Sequence, residues 1–206
     1  MTSSTRSALR GLFVTGTDTE IGKTRISAAL VKAFAKGGAR VAGMKPVAAG
    51  MGDIDGEHIN EDVAALRAVS SIELTAAEVG PFQFNAACSP HIAAALEGRQ
   101  IERDALLGAV HALAARVDLL IVEGVGGFRV PFGGDWDSAD LARDLGLPVV
   151  LVVGLRLGCI NHALLTAEAV RARGLRLCGW VANTVDPHLP YVAQNLDALA
   201  HGLGAA

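Results

Sequence analysis

Short apolar runs that alternate with helix-like segments constrain the fold of this chain more than any other feature. One of these runs, residues 149–153, is apolar at five consecutive positions. A strand that is apolar on both faces is typical of a parallel sheet that helices cover on both sides. The strand candidates are residues 12–15, 40–45, 79–84, 119–123, 149–153 and 177–183.

Segments with a helical pattern lie between and after these runs. They are residues 23–36, 60–69, 90–97, 102–115, 138–145, 159–173 and 189–201. Strands that alternate with helices at this spacing form βαβ units. The sequence therefore predicts an α/β fold with a doubly wound, mainly parallel sheet and helices on both faces. Because no linker divides the 206 residues, we expect one domain at 11–206 after a flexible N-terminal extension at 1–10.

A glycine-rich turn, VTGTDTEIGKT at residues 14–24, joins the first strand candidate to the first helix candidate. In such a turn, backbone N–H groups at the helix start bind an anion, the lysine meets the terminal phosphates, and the threonine hydroxyl can ligate Mg2+. Five residues separate Gly16 from Gly22, one more than in the common pattern. The turn predicts binding of a nucleoside triphosphate. An ordinary glycine turn before a helix is the alternative.

Polar residues follow several strand candidates, and ligands of open α/β sheets bind beyond the carboxyl ends of the strands. Lys45 is either a cation aimed at this crevice or an exposed strand-end lysine. Glu123, followed by glycines, is either a Mg2+ ligand or a solvated glutamate. Asp62 is either a metal ligand or a complement to a helix dipole. Asn183 either binds a ligand or closes a turn.

Composition argues against several function classes. The net charge is −3 and no run of lysine or arginine occurs, which gives little electrostatic support for nucleic-acid binding. The three cysteines lie far apart without a CxxC spacing, which argues against a disulfide framework and a zinc site. No apolar stretch reaches the roughly 18 residues of a membrane span, and residues 1–10 lack the pattern of a signal peptide. We therefore expect a cytoplasmic protein without a membrane partner.

Together these segments resemble the dethiobiotin synthetases, the ATP-dependent ligases of biotin synthesis. The resemblance covers almost the whole chain and implies a P-loop NTPase-like fold. The five-residue spacing of the glycine-rich turn is also usual in that family. The segments that carry the resemblance are FVTGTDTEIGKT at 13–24, GMKPVAAG at 43–50, NEDVAAL at 60–66, SPHIAAALEGRQIE at 89–102, VEGVGG at 122–127, LPVVLVVGLRLGCINHALLTAE at 147–168 and GWVANT at 179–184.

The resemblance implies a reaction in which diaminopelargonic acid, CO2 and ATP are the substrates and Mg2+ is the cofactor. One amine captures CO2 as a carbamate, ATP converts the carbamate into a carbamic-phosphoric anhydride, and the second amine closes the ureido ring. The products are dethiobiotin, ADP and phosphate. Because the carbamate and the triphosphate are both anionic, this reaction needs fixed positive charge between them.

The resemblance also implies a role for individual residues. The catalytic residues are Lys45, Lys23 and Thr19. The metal ligands are Thr24, Asp62 and Glu123. The nucleotide-binding residues are Glu20, Ile21, Gly22, Lys23, Thr24, Arg25, Glu123, Gly124, Val125, Gly126, Asn183 and Thr184. The substrate-binding residues are Lys45, Ala49, Gly158, Cys159, Ile160 and Asn161, of which the last four come from the partner in a homodimer.

Two features depart from the family pattern. Ala49 stands where the family commonly has serine or threonine, which predicts weaker substrate binding through the loss of one hydrogen bond. The sequence ends at Ala206, before a strand and a loop that help to enclose the adenine in the family, which predicts weaker discrimination between ATP and other triphosphates. The alternative functions are a regulatory ATPase of the partitioning or division-site type, an amidoligase of the cobyrinic acid type and a catalytically impaired paralogue.

Overall fold

The computed structural model describes residues 9–204. Its strands are β1 (Gly11–Gly16), β2 (Val41–Met44), β3 (Val47–Ala49), β4 (Met51–Ile54), β5 (Glu57–Asn60), β6 (Phe82–Phe84), β7 (Leu119–Glu123), β8 (Pro131–Gly133), β9 (Trp136–Asp137), β10 (Val149–Leu155) and β11 (Leu177–Thr184). Its helices are α1 (Lys23–Ala35), α2 (Glu61–Val69), α3 (Ala76–Val79), α4 (Pro90–Leu96), α5 (Arg103–Ala114), α6 (Ser138–Leu145), α7 (Cys159–Ala172) and α8 (Val192–Leu203).

Five strands form the central sheet in the order β11-β10-β1-β7-β2, and all neighbouring pairs are parallel. The strand β10 is buried at all seven of its residues, as its unbroken apolar sequence predicts. In the register between β1 and β7, Val14 lies opposite Glu123. The glycine-rich turn after β1 and the carboxylate at the end of β7 therefore lie at the same edge of the sheet.

Successive residues of the strands point to opposite faces and enter separate hydrophobic clusters. Phe13 packs with Leu106 of α5 and Leu141 of α6 on one face. Val14 packs with Val31 of α1 on the other face. The predicted single α/β domain with helices on both faces of a parallel sheet is confirmed.

The strand predicted at 79–84 is wrong in its first half. Val79 ends α3, whose start is fixed by a capping box between Thr75 and Glu78. Only Phe82–Phe84 is extended, and it pairs with β3 outside the central sheet. Val79 and Phe84 are both fully buried. The apolar pattern of residues 79–84 therefore indicated burial and did not identify which of these residues pair as a strand.

Two antiparallel pairs, β4–β5 and β8–β9, have no counterpart in the sequence prediction. Asp55 and Gly56 both have positive φ in the turn of the β4–β5 hairpin, which is the Asp-Gly signal of a two-residue turn. The last helix runs from Val192 to Leu203 and so begins later than predicted. Most of the predicted N-terminal extension, residues 1–8, lies outside the described residues. Within residues 9–204, no helix combines the length and apolarity needed to cross a membrane.

Candidate active site

The glycine-rich turn presents the start of α1 to an anion. Gly22 caps the helix with φ of 89°, and no side chain bonds to the N–H groups of the first turn. The first turn of α1 also contains no acidic residue. At the other end of the loop, a Cβ on Gly16 would lie 2.6 Å from Ile21 Cδ1, so a larger residue would displace the loop. The free N–H groups and the positive end of the helix dipole make this an anion-binding turn.

Lys23 points back over this turn. Its side chain is 6% exposed, and its Nζ donates a hydrogen bond to the backbone oxygen of Asp18 at 2.8 Å. Burial lowers the pKa of Lys23 to about 8, and the charge of Lys45 acts in the same direction. The carboxylates nearby oppose this shift only in part. The lysine is therefore a cation at neutral pH that gains from an anionic ligand.

Lys45 lies between two carboxylates that come from different elements. Its Nζ is 2.7 Å from Glu123 Oε1 and 2.8 Å from Asp62 Oδ2. It also donates to the backbone oxygen of Gly124 at 3.2 Å. Thr24 Oγ1 lies 2.5 Å from Asp62 Oδ1 and 2.9 Å from Glu123 Oε1, and its single proton serves one of them at a time. The starts of α1 and α2 and the ends of β2 and β7 thus meet in one polar cluster.

The charges of this cluster stabilise one another. Burial alone would lower the pKa of Lys45, but the attraction of Glu123 and Asp62 outweighs it, and the pKa is raised. Burial alone would raise the pKa of Asp62, but Lys45 and the hydrogen bond from Thr24 lower it. Lys45 is therefore an ammonium and Asp62 a carboxylate across the neutral range.

The oxygen donors of the cluster fit Mg2+. Glu123 is fully buried, and its Oε2 has no hydrogen-bond partner among the described residues. Such an orphaned carboxylate oxygen is costly unless a cation or water binds it. Within residues 9–204 no three His, Cys, Asp or Glu side chains converge as a metal site. The cluster offers two carboxylates and one hydroxyl, which suits Mg2+ because that ion keeps several waters and binds phosphate oxygens.

A cavity of about 590 Å3 opens beside the cluster. The lining residues that the sequence predicted are Thr19, Glu20, Lys23, Lys45, Ala49, Asp62, Val125 and Gly126. The structure thus brings the phosphate-binding turn, the Lys45 ammonium and the predicted substrate contact at Ala49 to one cavity. Its volume is in the range of small-molecule sites.

Other predicted residues do not line this cavity. Asn183 Nδ2 donates to the backbone oxygen of Ile21 at 2.8 Å, so in this structure it fastens the glycine-rich turn. The Ile21 side chain is itself buried in the core, which leaves only its backbone for a ligand. Arg25 and Thr184 are exposed. The segment Gly158, Cys159, Ile160 and Asn161 at the start of α7 is also absent from this cavity of the same chain.

Sequence reasoning missed Asn60, which also lines the cavity. Its Oδ1 accepts from the backbone N–H of Asp62 at 3.0 Å, and its Nδ2 donates to the backbone oxygen of Gly50 at 2.9 Å. Asn60 therefore caps α2 and holds the backbone that carries Asp62. An asparagine just before an acidic first turn is a recognised helix-start signal, so Asn60 could have been identified from the sequence as the N-cap of α2. Cys88 and Ser89, which also line the cavity, were missed as well.

Comparisons with known sequences identify the family of the chain. A family model described as an AAA domain matches residues 10–204. The chain is 53% identical over 196 residues to the ATP-dependent dethiobiotin synthetase BioD of Aromatoleum aromaticum (strain DSM 19018 / LMG 30748 / EbN1). That alignment covers 95% of this chain and 87% of the relative.

Similar solved structures show the fold. A ParA family ATPase from Chlorobium tepidum TLS has a TM-score of 0.56 at 13% identity, over 97% of this chain and 82% of that one. The kinase domain of Escherichia coli tyrosine kinase ETK has a TM-score of 0.54 at 16% identity, over 90% of this chain and 71% of that one. At such low identity these structures support the architecture and say nothing of the reaction.

Proposed function

The chain belongs to the ATP-dependent dethiobiotin synthetase family, and on that basis we propose that it closes the ureido ring of dethiobiotin from diaminopelargonic acid, CO2 and ATP. The observation that carries the proposal is the position of Lys45. A buried ammonium lies between Asp62 and Glu123 and lines the same cavity as Lys23 of the phosphate-binding turn. A regulatory ATPase that acts as a nucleotide switch needs the phosphate-binding turn and Lys23. A second fixed cation facing a substrate-sized cavity suits the capture of a second anion.

The two lysines match the charge demand of the reaction. The carbamate carries a negative charge, and the triphosphate whose γ-phosphorus it attacks is more strongly negative, so the two repel each other in water. Lys23 would bind the phosphates at the helix start, and Lys45 would bind the carbamate oxygens and orient them toward the γ-phosphate. Both lysines are buried, which strengthens their electrostatic effect relative to bulk water. Thr19 and Ala49 line the cavity where the carbamate would lie.

Thr24, Asp62 and Glu123 would hold Mg2+, which when bound neutralises charge on the phosphate oxygens. Phosphoryl transfer forms a bond between a carbamate oxygen and the γ-phosphorus and releases ADP. The second amine then attacks the carbamate carbon, the bond from that carbon to the phosphate-bearing oxygen breaks, and phosphate leaves with the proton that the amine loses. On this proposal, positioning and fixed charge would carry the catalysis.

We extend the proposal to a homodimer in which α7 of the partner completes the substrate site. Gly158 caps α7 with φ of 94°, and neither a side-chain cap nor an acidic residue occupies its first turn. Free N–H groups at a helix start suit the tail carboxylate of diaminopelargonic acid. Leu157, just before this turn, is 91% exposed, which is consistent with a contact surface there. On this proposal, the segment reaches a substrate bound in the other subunit.

A product assay tests the proposal. Purified protein receives diaminopelargonic acid, bicarbonate, Mg2+ and ATP, and mass spectrometry is expected to detect dethiobiotin. Lys45→Ala should suppress ring closure, whereas the control Lys32→Ala, at an exposed lysine of α1, should not. Phosphate release without dethiobiotin would favour a regulatory ATPase or an impaired paralogue. Light scattering that reports a monomer under assay conditions would remove the dimer from the proposal.

A further inference from the structure

Asn60 ends β5 and caps α2, and it lines the cavity although it is only 5% exposed. An asparagine in such a place either binds a ligand directly or holds the protein groups that do. Which of the two roles it has depends on whether its side-chain amide has hydrogen-bonding capacity left. An amide offers two N–H donors and one oxygen with two lone pairs.

The capacity of the Asn60 amide is used up within the chain. Its Oδ1 accepts from the backbone N–H of Asp62 at 3.0 Å and of Val63 at 3.4 Å. Its Nδ2 donates to the backbone oxygen of Gly50 at 2.9 Å and of Ala49 at 3.3 Å. A flip of the amide would break all four contacts, so its orientation is set. Asn60 therefore holds its neighbours and has no polar group free for a ligand.

The two halves of this amide hold segments with different roles. The oxygen fixes the start of α2, from which Asp62 Oδ2 reaches the Nζ of Lys45 at 2.8 Å. The nitrogen fixes the Ala49–Gly50 segment, and both residues of that segment line the cavity. An ordinary N-cap residue uses only its side-chain oxygen. Asn60 thus joins the candidate metal ligand and the candidate substrate contact through one planar group.

The backbone of Asn60 is anchored independently of its side chain. Its N–H donates to Gln83 Oε1 at 3.0 Å, and Gln83 Nε2 donates to the backbone oxygen of Gly80 at 3.1 Å. In the register of the β4–β5 hairpin, Asn60 lies opposite Met51. A substitution at residue 60 therefore leaves its main chain in place and changes the contacts of the amide alone.

We propose that Asn60 is a positioning residue whose amide fixes the Ala49–Gly50 segment relative to the carboxylate of Asp62, and so aligns the substrate with the metal ion and the phosphates. The proposal rests on the proposed function, since it takes diaminopelargonic acid as the molecule that meets residue 49. Because the oxygen and the nitrogen serve different segments, one half of the amide can be removed at a time. Loss of the nitrogen affects the substrate, and loss of the oxygen affects the metal.

The kinetics of Asn60→Ser and Asn60→Ala separate the two halves. Serine keeps an N-cap oxygen but has no N–H groups for residues 49 and 50, and alanine has neither. KM for diaminopelargonic acid, at saturating ATP and Mg2+, should rise roughly two- to tenfold in both variants through the loss of a neutral hydrogen bond. The Mg2+ concentration that gives half the maximal rate should stay at the wild-type value in Asn60→Ser and rise at least about twofold in Asn60→Ala.

Asn195→Ser is the matched control. It removes hydrogen bonds from Nδ2 to the backbone oxygens of Pro190 and Tyr191, and none of these residues lines the cavity. Both kinetic values should therefore match those of the wild type. An Mg2+ requirement that rises equally in Asn60→Ser and Asn60→Ala, or a KM that is unchanged in both, would overturn the proposal.

Amide hydrogen exchange tests the positions of the two segments without turnover. The amides of Asp62 and Val63 should stay protected in Asn60→Ser and exchange faster in Asn60→Ala. The amide of Gly50, which donates to the backbone oxygen of Phe84 at 2.9 Å, should exchange faster in both variants. Equal protection of Asp62 and Val63 in the two variants, or unchanged exchange at Gly50, would overturn the proposal even if the enzyme makes dethiobiotin. Absence of dethiobiotin in every protein, the wild type included, would instead remove the proposed function, and the exchange data would still decide the role of Asn60.

Discussion

Replacement of Lys45 by methionine removes a buried ammonium and leaves its two carboxylates in place. Lys45 is 3% exposed and Glu123 is fully buried, so water from the adjoining cavity replaces the ammonium only in part. Thr24 is then the remaining side-chain donor, and its one proton is shared between Glu123 and Asp62. The variant keeps nearly the same side-chain length, so the main loss is charge and not packing.

The size of the loss in folding stability follows from the burial of the ion pair. Removal of one partner from a buried ion pair costs about 3–5 kcal/mol, because the other charge stays in a poorly solvated site. In a chain of this length each kcal/mol lowers the Tm by about 2–4 °C, so the expected drop is about 6–20 °C. The pKa of Lys45 is raised, so its stabilising contribution is present at all pH values below the ordinary lysine pKa. The pKa of Asp62 is lowered, so its contribution is lost only in acid, and the deficit should hold across the neutral range.

Thermal and urea unfolding of the protein without nucleotide measure this deficit. The wild type is compared with Lys45→Met, with the control Lys32→Met, and with the double variant Lys45→Met, Glu123→Gln. The double variant should regain much of the lost stability, because it no longer buries the uncompensated charge. Mg2+ should raise the Tm of Lys45→Met, since its carboxylates are free to bind the ion. The reasoning is refuted if Lys45→Met has the same Tm and urea midpoint as Lys32→Met. It is also refuted if the double variant is no more stable than Lys45→Met, because burial of the carboxylates would then not depend on Lys45.

Two further predictions concern the nucleotide and the substrate. Burial lowers the pKa of Lys23 to about 8, so ATP affinity should fall as the pH rises through that value, and binding near pH 8.5 should take up a proton because the phosphates favour the ammonium. Calorimetry in two buffers of different ionisation enthalpy measures this proton uptake. Lys23→Arg should abolish the uptake. Equal binding heats for the wild type in both buffers would contradict the prediction. Ala49→Ser should restore one hydrogen bond in the cavity, worth about 0.5–1.5 kcal/mol, and should lower KM for diaminopelargonic acid without a change in kcat. An unchanged KM would show that residue 49 does not meet the substrate.

Ligands of open α/β sheets bind beyond the carboxyl ends of the strands, and this rule explains why much of the site could be predicted from sequence. Lys45 follows β2 and Glu123 ends β7. Parallel strands bring their carboxyl ends to one edge, so the meeting of these residues needed no knowledge of loops. Asp62 was ambiguous in sequence, because a carboxylate in the first turn of a helix also suits the helix dipole. Only the tertiary position of α2 brings it to 2.8 Å from Lys45.

The walls of the cavity were not predictable in the same way. The β4–β5 hairpin has only four residues in each strand, and its sequence alternates too weakly to stand out. The contact between His58 of this hairpin and Asn85 joins residues 27 apart through loop geometry. Asn183 was expected to bind the nucleotide, and in this structure it donates to the glycine-rich turn. Its role toward the nucleotide stays a prediction. The homodimer, the cytoplasmic location and the lack of a nucleic-acid partner likewise remain predictions.

The division of the cavity between two kinds of structure has an evolutionary consequence. The phosphate-binding turn and Lys45 adjoin buried parallel strands, where almost any substitution disturbs the core. Other lining residues, Gly50 at the base of the hairpin and residues 87–89 of a loop, lie outside that sheet. Selection can therefore replace the walls while the ATP machinery persists. A lineage that inherits this scaffold can acquire a new acceptor for the phosphoryl group by changing few residues, and drift in the family should concentrate in the hairpin.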